Sequence, residues 1–201
     1  MNQRTTDSDH PGLYTQDIEY PGQTGSICAY LARPEGETQR PAVIVIHENR
    51  GLQPHIRDVT RRVAAEGFLA IAPDALSPLG GTPEDEDQAR ELIGQLDPAA
   101  TAHDLSAAVQ YLKTHPLSTG KVGCTGFCWG GGMTNQVAVH SPDLLAAVPY
   151  YGRQPDAQDV PRIKAAMLLH YAGLDERINA GIPPFKEALA AASVEYELYI
   201  Y

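Results

Sequence analysis

Residues 122–139, VGCTGFCWGGGMTNQVAV, run from a strand-like segment through a turn made largely of glycine into a helix-like one. The pattern predicts a strand over 122–125 and a helix over about 131–139. A side chain at the apex of so tight a strand-to-helix turn needs small neighbours two positions away on either side, and Gly126 and Gly130 flank Cys128 in that way. The following helix points its amino end at the thiol, which favours the thiolate and offers the amide of Trp129 to a developing oxyanion. Two plainer readings compete with a nucleophile here. One is a packing turn with an inert thiol; the other, a phosphate cradle, lacks the lysine it needs after the glycines.

The same alternation of strand and helix extends in both directions. Upstream, AVIVI at 42–46 is β-branched and continuously apolar, as in a strand covered on both faces, and it breaks off into HENRG at 47–51. Ile56, Val59 and Val63 keep helical spacing over 56–65, Gly67 stops that helix, and 68–72 reads as the next strand. The stretch PDALSPLGGTPEDED, 73–87, is too rich in proline, glycine and acid for regular structure, and predicts a surface loop over a site. Asp97 before Pro98 starts a further helix whose buried face carries Leu105, Val109 and Leu112. Downstream, strands over 146–151, 165–171 and 194–201 bracket a helix over about 184–192, and 18–20 with 27–31 form a hairpin at a sheet edge. Repeated βαβ units predict a three-layer α/β/α sandwich on a mostly parallel, doubly wound sheet. One domain over 16–201 is expected, behind a polar, flexible segment at 1–15.

Composition narrows the partners. The chain has 201 residues, of which 43% are hydrophobic and 20% charged, and a formal net charge of −10. That suits one soluble globular domain, large enough for its core to need no disulfide scaffold. Its acidity, with no lysine and arginine cluster to oppose it, argues against nucleic acid and membrane-surface partners. No apolar run approaches a bilayer span, MNQRTTDSDHPG at 1–12 is polar where a signal peptide is apolar, and Cys28, Cys124 and Cys128 follow no zinc pattern. A cytoplasmic monomer or homodimer with reduced thiols is expected. A redox pair of Cys124 and Cys128 is disfavoured by their spacing.

In an open parallel sheet, ligands bind where the carboxyl ends of the strands open into a crevice. Two further groups fall there besides Cys128. Asp175, in the turn after the strand of 165–171, is placed to orient an imidazole, although aspartate is also a common turn-former. Glu48 leaves an apolar strand and has to find partners at the edge of a core; a salt bridge to Arg50 or Arg57 is the alternative to a role in chemistry.

Three ordered motifs together carry a resemblance: HENRGLQPHIRDVTRRVAAEGFLAIAPDAL at 47–76, GFCWGGG at 126–132 and LLHYAGLDERI at 168–178. The chain resembles the dienelactone hydrolase family, cysteine-dependent members of the α/β-hydrolase fold, from about residue 30 to the end. Carried over by position, the resemblance implies that Cys128 is the nucleophile and Asp175 the triad acid. It implies that Trp129 and Asn49 give the oxyanion-hole amides and that Glu48 sits against the resting thiol and helps to activate it. The implied reaction is hydrolysis of a small carboxylic ester or lactone through a thioester, without metal or organic cofactor.

The pattern breaks in two places. All seven histidines, His10, His47, His55, His103, His115, His140 and His170, precede Asp175, whereas the family's triad histidine follows the acid, in a loop just past VEYELYIY at 194–201. This predicts a chain lacking its C-terminal end; the alternative is a catalytically inactive α/β-hydrolase-fold binding protein. His47 and His170 are the candidate surrogate bases. The family's arginines for a substrate carboxylate lie after the strand preceding the 73–87 loop and after that histidine, and the first region here, PDALSPLG, holds none.

Overall fold

The structure, a computed structural model, describes residues 11–201. The expected flexible lead falls mostly on residues 1–10, outside the described residues; β1 begins at Leu13. Eight strands form one sheet in the order β1-β2-β4-β3-β5-β6-β7-β8. The hairpin of β1 (Leu13–Pro21) and β2 (Ser26–Pro34) is antiparallel, and β2 meets β4 (Leu69–Pro73) antiparallel. From β4 through β3 (Arg40–Ile46), β5 (Ser118–Phe127), β6 (Ala146–Tyr150), β7 (Ala166–Tyr171) and β8 (Tyr196–Ile200) every pairing is parallel. Among the described residues, no helix is long and apolar enough to cross a membrane.

The continuous apolar run of β3 is explained by its two faces. Ala42, Ile44 and Ile46 join the larger core with α3 (Pro98–Thr114), α4 (Trp129–His140) and α6 (Ile182–Ala191). Val43 and Val45 face the opposite way, into a smaller cluster with Ile56 and Ala64 of α1 (Pro54–Ala65). Helices therefore cover both sides, and the predicted three-layer architecture is the observed one.

The 73–87 loop is more ordered than its composition predicts. The Asp74 carboxylate, buried, accepts from the Leu76 amide at 3.0 Å and from the Thr82 amide and hydroxyl, both at 2.8 Å. A short 3-10 turn fills Ser77–Leu79, and α2 (Glu86–Ile93) begins inside the stretch because the Asp85 side chain accepts from the Asp87 and Gln88 amides. A four-residue helix, α5 (Glu176–Asn179), follows β7.

Candidate active site

The turn after β5 is as tight as its glycines require. Cys128 sits at the N-cap of α4 with φ 54° and ψ −115°, a conformation that costs an L-residue energy and is typical of functional turns. Its amide donates to the Tyr150 carbonyl at 3.0 Å, which pins the apex to the end of β6. A Cβ on Gly126 would collide with the Gly130 carbonyl, and one on Gly130 with the carbonyls of Ile46 and His47. Glycine at both flanks thus lets β5, α4 and the end of β3 meet.

A cavity of about 520 Å³ opens at this apex. Cys128, Trp129 and Asn49 line it together, with Met133, Ile93 and Leu96 among its apolar walls. Cys128 is half-buried. Among the described residues neither the Asn49 nor the Trp129 amide donates to any other group; one lies in the loop after β3 and the other opens α4. Two unpaired amides beside one thiol can stabilise negative charge on an oxygen bonded to a carbon that the sulfur attacks.

Glu48 makes neither of the alternative salt bridges. Arg50 pairs with Asp87 at 3.0 Å and Glu86 at 3.8 Å, and Arg57 with Asp17 at 2.7 Å. The Tyr151 hydroxyl, from the cavity wall, instead reaches the Glu48 carboxylate at 3.5 Å. Tyr151 also has positive φ, 40°, and burial together with Glu48 and Cys128 raises its phenol above the ordinary value. Asp175 does not line the cavity. Its carboxylate accepts from the Ile178 amide at 3.1 Å and so caps α5, whose Arg177 and Ile178 do line it.

Neither surrogate histidine lines the cavity that holds the thiol, and among the described residues no other histidine does. His47 is fully buried, with both ring nitrogens engaged. His170 lies between Tyr150 and Tyr199, at ring separations of 4.5 Å and 6.0 Å, and its Nδ1 is 3.2 Å from the Tyr201 hydroxyl. All three cysteines are free thiols. The 73–87 loop lines no part of the cavity either; its cover comes from α2 and the turn into α3, through Arg90, Ile93, Gly94 and Leu96.

Three arginines at the cavity escaped the reading of the sequence. Arg90, Arg153 and Arg177 line it, and among the described residues no aspartate or glutamate does. Arg90 is 3.8 Å from Asp87, whereas Arg153 and Arg177 have no ion pair among the described residues. The signal was positional: Arg153 and Arg177 each follow the carboxyl end of a parallel strand, β6 and β7, where such sheets bind ligands.

The chain is similar to several known proteins. A protein of Methylorubrum extorquens named "Putative carboxymethylenebutenolidase" is 34% identical over 99% of this chain and 74% of its own. One of the same name from Synechocystis is 39% identical over 94% and 84%. The crystal structure described as a "Putative Dienelactone Hydrolase" from Klebsiella pneumoniae superposes with a TM-score of 0.80 at 30% identity, covering 94% of this chain and 85% of that one. The sequence profile of the dienelactone hydrolase family matches residues 27–201, from β2 through every strand that shapes the cavity, and the chain belongs to that family.

Proposed function

We propose that the protein hydrolyses small carboxylic esters or lactones, with Cys128 as the nucleophile. The observation that carries this reading is the convergence, on one cavity, of a thiol at a strained turn and two unpaired amides, those of Asn49 and Trp129. The sulfur attacks the acyl carbon, the carbonyl oxygen takes up the electron pair between the two amides, and collapse expels the alkoxide to leave a thioester. Glu48, whose carboxylate is 3.5 Å from the Tyr151 hydroxyl, is the group assigned to receive the thiol proton in this scheme, and Asp175 is the triad acid. Water then releases the acid, a step that calls for a base; no histidine follows Asp175 in the 201 residues. The three arginines at the cavity favour a substrate carrying an anionic group.

Acylation is the step to test on this chain. A p-nitrophenyl ester is the suitable probe, because its leaving group departs as an anion without a proton donor. Incubation with p-nitrophenyl acetate is expected to release one equivalent of p-nitrophenolate and to add one acetyl group at Cys128, read by peptide mass spectrometry. Cys128→Ala should abolish both. The engagement of the Asp175 carboxylate with the Ile178 amide, away from the cavity, favours one rival, a binding protein that keeps the fold without the chemistry. An unmodified Cys128 after prolonged exposure would establish that rival.

A further inference from the structure

A trans peptide holds its carbonyl and its amide hydrogen on opposite sides of one rigid plane. Fixing the carbonyl of Glu48 therefore fixes the direction of the Asn49 amide. The Glu48 carbonyl lies 2.6 Å from Nδ1 of His47, and the described chain has no cis peptide. The tautomer follows from the other side of the ring. The Ala75 amide donates to Nε2 at 3.1 Å, so Nε2 carries no proton, the ring is neutral, and Nδ1–H is the donor to Glu48.

The ring itself has little freedom. His47 is at 0% exposure and stacks on Trp129, with ring centroids 5.3 Å apart and planes 10° from parallel. The imidazole thus touches both halves of the amide pair: it bonds the peptide that carries the Asn49 N–H and packs against the side chain of the residue that carries the other. Asn49 lines the cavity, and its amide has no acceptor among the described residues. A loop peptide with nothing holding its carbonyl could rotate and turn that N–H away.

We infer that His47 is a positioning residue, which orients the Asn49 amide toward the acyl oxygen by donating from Nδ1 to the Glu48 carbonyl. The inference rests on the acyl-transfer reading above. It removes His47 from the list of bases, since the ring has no free lone pair to accept a proton from Cys128.

Asparagine and leucine at position 47 separate the donor from the ring. Both lose the stacking and the Ala75 acceptor, they are alike in shape, and the asparagine Nδ2 branches from the same atom as Nδ1 of histidine. Two rates are measured on the 201-residue chain: acylation by p-nitrophenyl acetate, which needs the amides, and alkylation by iodoacetamide at Cys128, which does not. A lost oxyanion-hole donor costs about 100-fold or more, and a misdirected one is expected to cost about 10-fold or more. His47→Leu should therefore acylate at least about 10-fold more slowly than His47→Asn, with KM little changed and alkylation equal in the two. Equal acylation by the folded pair overturns the inference, as does a parallel fall in acylation and alkylation. Should the leucine variant fail to fold by circular dichroism, His47→Gln and His47→Met supply the same contrast. A wild-type chain that is never acylated defeats the proposed function instead, so the two failures are distinct.

Discussion

Cys124 lies at 2% exposure in the larger core, its sulfur 3.8 Å from the Thr134 hydroxyl, and burial pushes its thiol up to about 12. Cys128, four residues on, is half-buried at the mouth of a cavity. Residue type is the same and the surroundings are opposite. At pH 8 roughly a quarter of an ordinary thiol is ionised, whereas burial keeps Cys124 protonated in the folded protein. Iodoacetamide at that pH is expected to label Cys128 and exposed Cys28 and to leave Cys124 untouched until guanidinium unfolds the chain. Peptide mapping checks this. The sign of the linked stability follows: between the ordinary thiol range and about 12 the unfolded chain has released a proton that the folded one keeps, so stability falls as pH rises through that window. The strand alternation made Cys124 legible as a core residue, and the glycines two positions either side made Cys128 legible as an apex. Asp175 was legible only by place, because a turn-forming aspartate and a triad aspartate leave the same mark; here its carboxylate caps α5.

Elements with a strong local cause were read most surely. The Asp97 carboxylate accepts from the Ala100 amide at 2.7 Å with Pro98 in the first turn, so both signals at the start of α3 operate as expected. Asp97→Ala should cost about 1 kcal/mol, measured as a lower urea midpoint with an unchanged m-value. The short helices were missed because their causes hide in loop-like composition. Glu86 and Asp87 belong to an acidic run that reads as solvated loop, yet acids in a first helical turn complement the helix dipole, and Ala89 and Ile93 give α2 its buried face. Proline and glycine over 73–83 masked that signal. The order they concealed comes from one buried side chain, Asp74, whose three acceptor bonds join residues far apart along the loop. Such long-reach satisfaction of a buried carboxylate has no periodicity for a sequence to display.

Charge on the whole molecule works against the cavity. A formal net charge of −10 repels an anionic substrate at a distance, while Arg90, Arg153 and Arg177 attract it within the last few ångströms. All three side chains are exposed, so each contributes modestly, and the Debye length of about 10 Å at 0.1 M salt confines the attraction to a bound or nearly bound molecule. This local reversal of sign was invisible in the totals, since the arginines come from α2, from the segment after β6 and from α5, and only the folded sheet brings them together. It leads to a comparison of two acyl donors on one protein. The p-nitrophenyl monoester of a dicarboxylic acid, which keeps one free carboxylate, should acylate Cys128 several-fold faster than p-nitrophenyl acetate at low salt. Arg153→Gln combined with Arg177→Gln should remove most of that preference and leave the acetate rate unchanged. Raising the salt to about 0.5 M should narrow the preference in the wild type and scarcely alter it in the double variant, because screening acts on the charges that the variant has already lost. A preference that persisted through both substitutions would assign the discrimination to the apolar walls instead.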